Sequence, residues 1–131
     1  MFCNQCEQTT RNGVEIGCTI EGVCGKTAQT SSLQDVMIYG LEGLSAYACL
    51  LKDHEGGNDI SEINALMLSA TFATLTNVNF DDESLFNTIS TISDAIEDAK
   101  DLCDCKDINT ENMPAATKFR VAKDIAMMTK Q

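Results

Sequence analysis

Four cysteines near the amino terminus, Cys3, Cys6, Cys18 and Cys24, are the residues of this sequence best suited to chemistry. They read Cys3-Asn4-Gln5-Cys6, then eleven residues, then Cys18, then five residues, then Cys24. A Cys-x-x-Cys turn presents two sulfurs on its concave side, so both can bind one metal centre. Gly17, Gly22 and Gly25 flank the other two cysteines. Glycine there permits unusual backbone angles and leaves amide N–H groups free to point at sulfur. Arg11 and Lys26 are the only cations of this segment and would offset part of the charge of a thiolate-bound group.

Three chemistries compete for these residues. An iron–sulfur cluster fits four thiolates gathered in one glycine-rich loop ahead of a helix. Structural zinc also takes four cysteines, but more often as two close pairs, from which the five-residue gap departs. A thiol redox pair without metal is the third.

Composition narrows the setting. The chain has 131 residues, enough for one domain with a single core. Twenty acidic residues against nine basic ones give a net charge of −11, which repels phosphate backbones and anionic lipid surfaces. Nucleic acid and membrane are therefore poor partners, whereas a basic redox protein would be attracted. No apolar run reaches the roughly 18 residues of a membrane helix. Cys3 and Cys6 fall where the charged leader of a signal peptide would lie, so a cytoplasmic protein is expected. Seven cysteines, an odd number, then favour metal or thiol chemistry over disulfides.

The elements that must position the cysteines are helical. Residues 1–27 show no helical period and are expected to form a cluster-binding loop. Residues 28–131 are expected to form a helical bundle packed with that loop as one compact domain. Ser31 or Ser32 is a suitable cap for a first helix running to Lys52–Asp53, with Leu33, Val36, Met37, Gly40, Leu41, Leu44, Tyr47, Ala48 and Leu51 on its apolar face. Asp59 or Ser61 would cap a second helix carrying Ile63, Leu66, Met67, Ala70 and Ala73. After a break at Asn77–Phe80, Asp81 or Asp82 would cap a third, with Leu85, Phe86, Ile89, Ile92, Ile96, Ala99 and Leu102 inward. A fourth would start at Thr110 or near Pro114 and bury Phe119, Ala122, Ile125, Ala126 and Met128. Short connections favour an all-α, up-and-down bundle. The methionines, Met127 and Met128 among them, read as core filler.

The identities of the residues around the cysteines add a resemblance. Met1-Phe2-Cys3-Asn4-Gln5-Cys6-Glu7-Gln8-Thr9, Gly17-Cys18-Thr19, Gly22-Val23-Cys24-Gly25-Lys26 and Leu33-Gln34-Asp35-Val36-Met37-Ile38-Tyr39 closely resemble the start of the hybrid-cluster proteins, or hydroxylamine reductases. The likeness is strong over residues 1–52 and extends beyond them only as a helical pattern. It implies that Cys3, Cys6, Cys18 and Cys24 hold a proximal cluster, [4Fe-4S] in the favoured reading and [2Fe-2S] in the alternative. The hybrid cluster at which that family reduces its substrate takes ligands from later α/β domains that have no counterpart here. The resemblance thus implies electron transfer, with a redox protein or the remaining domains of a reductase as partner and a homo-oligomer as a further option. A module held together by zinc or by a cluster, without redox turnover, is the alternative.

The remaining candidates carry blander expectations. His54, in His54-Glu55-Gly56-Gly57-Asn58, reads as a solvated loop residue. Cys49 reads as a buried small hydrophobe within the first helix. Cys103 and Cys105 read as a surface helix end among Asp98, Asp101, Asp104 and Asp107, whose charges would raise thiol pKa.

Overall fold

The computed structural model describes residues 1–11, 14, 16–54, 60–75 and 78–128. Three α-helices build the body: α1 (Ala28–Asp53), α2 (Ser61–Ala73) and α3 (Asp82–Cys105). A 3₁₀ turn at Ala115–Lys118 and a single α turn, α4 (Ile125–Met128), follow. The protein is all-α, as its periodicity predicts, and among the described residues no helix is long and apolar enough to cross a membrane.

Helix α1 starts earlier than the Ser31 or Ser32 expected. Thr27 is the cap, its hydroxyl accepting the Thr30 N–H at 3.0 Å. Ser32 lies inside the helix and donates back to the Ala28 carbonyl at 3.0 Å, a use open to any serine one turn in. Helix α3 is capped by Asp81, whose carboxylate accepts the N–H groups of Glu83 and Ser84. Ile60 precedes α2 without a side-chain cap, and Asp59 lies outside the described residues.

Helices α1 and α3 run side by side in the same direction. Thr30 and Gln29, at the start of α1, both donate to the Asp82 carboxylate at 2.8 Å. Further along, Gly40 lies against Ile92 at the same sequence separation, so the register holds. Helix α2 runs back between them, its end near the start of α1, where Gln34 donates to the Ala73 and Asn79 carbonyls. The core is their shared seam of Leu33, Met37, Leu44, Leu51, Leu85, Ile89, Ile92 and Ile96.

The expected fourth helix is instead broken into two short turns. Pro114 opens the 3₁₀ turn, and Thr117 satisfies the Pro114 carbonyl with both its N–H and its hydroxyl. The Ala116 carbonyl occupies the space that a Cβ on Gly43 of α1 would need. A full helix is about 10 Å wide and could not approach so closely, so the narrower turn takes the groove. The Val121 N–H donates to the Ser93 hydroxyl, and Arg120 pairs with Glu97 at 2.7 Å, fixing the segment to α3. Phe119 and Met128 are buried as predicted, while Ala126 is exposed.

Two further expectations fail at single residues. Cys49 is exposed, because Ala48 takes the inward position and the next residue turns about 100° away. Cys103, read as a surface residue, is fully buried, and Leu102 is 38% exposed. The inward stripe of α3 continues from Ile96 and Ala99 to Cys103, leaving Leu102 off the seam. Burial, then the neighbouring Asp104 charge, holds the Cys103 thiol above its usual range. Cys105 is exposed, as expected. Met37 and Met128 fill the core, while Met127 is half exposed.

Gly43→Ala should lower stability despite alanine's better helix propensity, which is worth about 1 kcal/mol. Displacing the Ala116 backbone costs about 1–3 kcal/mol, so the urea midpoint should fall; a higher midpoint would disprove the close contact. Asp81→Ala should cost about 1 kcal/mol in the same measurement, through loss of the cap.

Candidate metal centre

The loop that precedes α1 is held by a small number of backbone bonds that also place its cysteines. Cys3 and Cys18 face each other across an antiparallel bridge, exchanging N–H···O bonds at 3.0 and 2.7 Å. Residues directly opposite in such a pair carry their side chains on one face, so these two are neighbours. The Thr9 N–H bonds the Cys6 carbonyl at 3.1 Å, closing a turn after the Cys-x-x-Cys pair. Around Cys24, the Gly25 N–H bonds the Gly22 carbonyl and the Gly22 N–H bonds the Lys26 carbonyl, both at 2.8 Å. Gly25 sits at φ +88°, a region that side chains other than glycine's rarely adopt. A Cβ on Gly22 would meet the Cys24 sulfur at 3.0 Å.

The sulfur of Cys18 lies among donors. Hydrogen bonds from the Thr10 backbone, then the Val23 backbone, then the Thr10 hydroxyl hold its thiol below the usual range, against the opposing effect of burial. The Thr10 hydroxyl is 3.7 Å from that sulfur. Such donors favour the thiolate, which is the metal-binding form.

Two further groups in the same loop lack an acceptor or an anion. The Thr9 side-chain oxygen is buried without a hydrogen-bond partner in the structure. Leaving a hydroxyl in that state costs on the order of 1–3 kcal/mol. Lys26 is only 4% exposed, yet neither of the two ion pairs among the described residues includes it. Its ammonium donates to the Gln5 side-chain oxygen at 3.4 Å and lies 5.9 Å from the centre of the Phe80 ring. Buried lysines are rare unless paired.

All four candidate cysteines are free thiols, with Cys18 buried and Cys3, Cys6 and Cys24 partly buried. Among the described residues no three His, Cys, Asp or Glu side chains gather closely enough to share one metal ion. The donor set nevertheless fits a thiolate-bound iron–sulfur group in its chemistry. It offers sulfur ligands, and around them N–H, O–H and ammonium donors in need of a negatively charged acceptor.

Cys49, Cys103 and Cys105 belong to the helices, not to this loop. His54 stands at the end of α1, partly buried, its backbone N–H bonded to the Leu50 carbonyl; Glu55–Asn58 lie outside the described residues. An open cleft of about 640 Å³, lined by Asp35, Tyr39, Lys118, Phe119 and Arg120, contains no cysteine and is remote from this chemistry. The residue pattern alone did not single out Thr9 and Thr10. Hydroxyl residues are common in loops, and only their position three and four residues after Cys6 marks them.

The loop is tied to the bundle by the Gln5 side-chain amide, which donates to the Thr74 carbonyl at 3.1 Å. Its outer surface mixes exposed apolar residues, Phe2, Val14, Ile16, Ile20 and Val23, with exposed polar ones such as Glu7, Arg11 and Glu21.

Comparison with known proteins accords with this arrangement. The sequence is 39% identical over 137 aligned positions to a protein named hydroxylamine reductase from Geobacter sulfurreducens (strain ATCC 51573 / DSM 12127 / PCA). The alignment covers 100% of this chain but 24% of that relative, so the chain spans about a quarter of the relative's length. Residues 1–130 match the Prismane/CO dehydrogenase family, and with a match of that extent the chain belongs to it.

Proposed function

We propose that residues 1–27 are a cluster-binding loop in which Cys3, Cys6, Cys18 and Cys24 hold one iron–sulfur cluster, [4Fe-4S] in type, that passes single electrons. Residues 28–131 then serve as its rigid scaffold. The observation that carries this reading is the mismatch of polar groups in the loop. Among the described residues, Cys18 is bonded by donors, Lys26 is buried without a carboxylate partner, and the Thr9 hydroxyl has no acceptor. An anionic, acceptor-rich group held by the cysteines satisfies all three at once, and a cluster supplies the reversible one-electron chemistry.

Each residue has a definite part in this account. The four thiolates are ligands. The Thr10 and Val23 amides and the Lys26 ammonium stabilise negative charge, and so favour the reduced state. The exposed apolar rim of Phe2, Ile20 and Val23 keeps the loop near the surface, where a partner can approach. A net charge of −11 favours a basic partner or donor domain. Reduction of hydroxylamine, the activity in the relative's name, belongs in this proposal to the longer polypeptides of the family, to which this part supplies electrons. A cytoplasmic location fits thiols kept reduced.

Protein purified without oxygen should contain iron and acid-labile sulfide in equal amounts and show a broad visible absorption that bleaches with dithionite. Cys18→Ser should abolish the colour. Zinc without sulfide in the wild type, or unchanged iron and sulfide in the variant, would refute the ligand assignment. In an anaerobic assay with hydroxylamine and a reduced dye, this chain alone should give no turnover above the dye background. Turnover there would move catalysis onto these residues.

A further inference from the structure

We infer that the Thr9 hydroxyl donates its hydrogen to a sulfur of the cluster, and in doing so raises the potential at which that cluster accepts an electron. The inference rests on the reading that Cys3, Cys6, Cys18 and Cys24 hold an iron–sulfur group. It adds a tuning residue that is not a ligand.

Thr9 is 5% exposed, and its side-chain oxygen has no hydrogen-bond partner among the described residues. Buried hydroxyls are nearly always hydrogen-bonded, so such an exception points to an acceptor that the polypeptide does not itself supply. Its place in the chain says which acceptor. The Thr9 N–H is bonded to the Cys6 carbonyl at 3.1 Å. The next residue, Thr10, bonds the Cys18 sulfur through its backbone and brings its hydroxyl within 3.7 Å of it. Thr9 is therefore bonded to the backbone of one candidate ligand, Cys6, and its chain neighbour contacts the sulfur of another, Cys18. No cysteine sulfur is bonded to it here, which leaves the inorganic sulfide of the cluster as the acceptor. The reduced cluster carries one more negative charge than the oxidised one and gains more from the donor, so the bond favours reduction.

The test is an anaerobic, dye-mediated redox titration of the whole chain as wild type, Thr9→Val, Thr9→Ala and Thr9→Ser, with iron and sulfide measured on each. Thr9→Val and Thr9→Ala should lower the reduced-to-oxidised ratio at fixed poise about tenfold, equivalent to about 59 mV for one electron. Thr9→Ser keeps the hydroxyl and should titrate with the wild type. Full iron and sulfide in Thr9→Val or Thr9→Ala with an unmoved potential would overturn the inference and leave the electron-carrier reading standing. A serine variant displaced as far as valine would overturn it too, since packing of the methyl group would then be the cause. Wild-type protein without iron and sulfide would remove both readings together.

Discussion

The Asp82 carboxylate, accepting from Gln29 and Thr30 at once, sets the register of α1 on α3, and much else in the molecule follows from it. Because the two helices start at the same end, the chain must return between them, and α2 makes that return. Its end, the start of α3 and the start of α1 consequently meet in one place. The segment before α1 therefore enters beside the end of α2, where Gln5 bonds the Thr74 carbonyl and Lys26 lies over Phe80. The loop has few bonds of its own, and its position is inherited from the helix starts beneath it.

The loop's interior inverts the charge character of the rest of the chain. The protein carries twenty acidic residues, several of them on the exposed faces of α3. Around the cysteines, by contrast, the groups that face inward are amides, hydroxyls and one ammonium. On the proposed reading, a site so rich in donors suits a metal group that arrives with its own negative charge better than a free divalent cation. The ligands alone do not make that distinction, since four cysteines suit zinc as well as iron.

Much of this was legible in the sequence, for identifiable reasons. The period of Leu85, Ile89, Ile92 and Ile96 locates α3, and Asp81 declares its cap, because both signals are local. The fourth helix was misread because Phe119, Ala122, Ile125 and Met128 keep a loosely helical spacing. What breaks it is a tertiary fit: Ala116 against Gly43, two residues remote in sequence. Cys49 and Cys103 exchanged their expected environments for a similar reason. A rotation of one residue decides which side of a helix faces the core, and cysteine, small and weakly polar, is tolerated on either. The cysteines of the loop stood out in the sequence as candidate ligands, and that assignment remains a proposal. The loop's donors were less legible, since only the folded chain reveals that, among the described residues, the Thr9 hydroxyl has no bond and Lys26 no carboxylate.

The groove at Gly40 and Gly43 has a consequence for the order in which the molecule assembles. Gly40 and Gly43 belong to the first half of the chain, whereas Ala116 and Phe119, which pack onto them, are synthesised about seventy residues later. As the protein emerges, α1 can pair with α2 and then α3 while that flank is still bare. The last segment then docks as a latch onto a body already formed. Completion of the fold is thus a late event on one side of α1, coming after the cysteine loop and the three helices have been made.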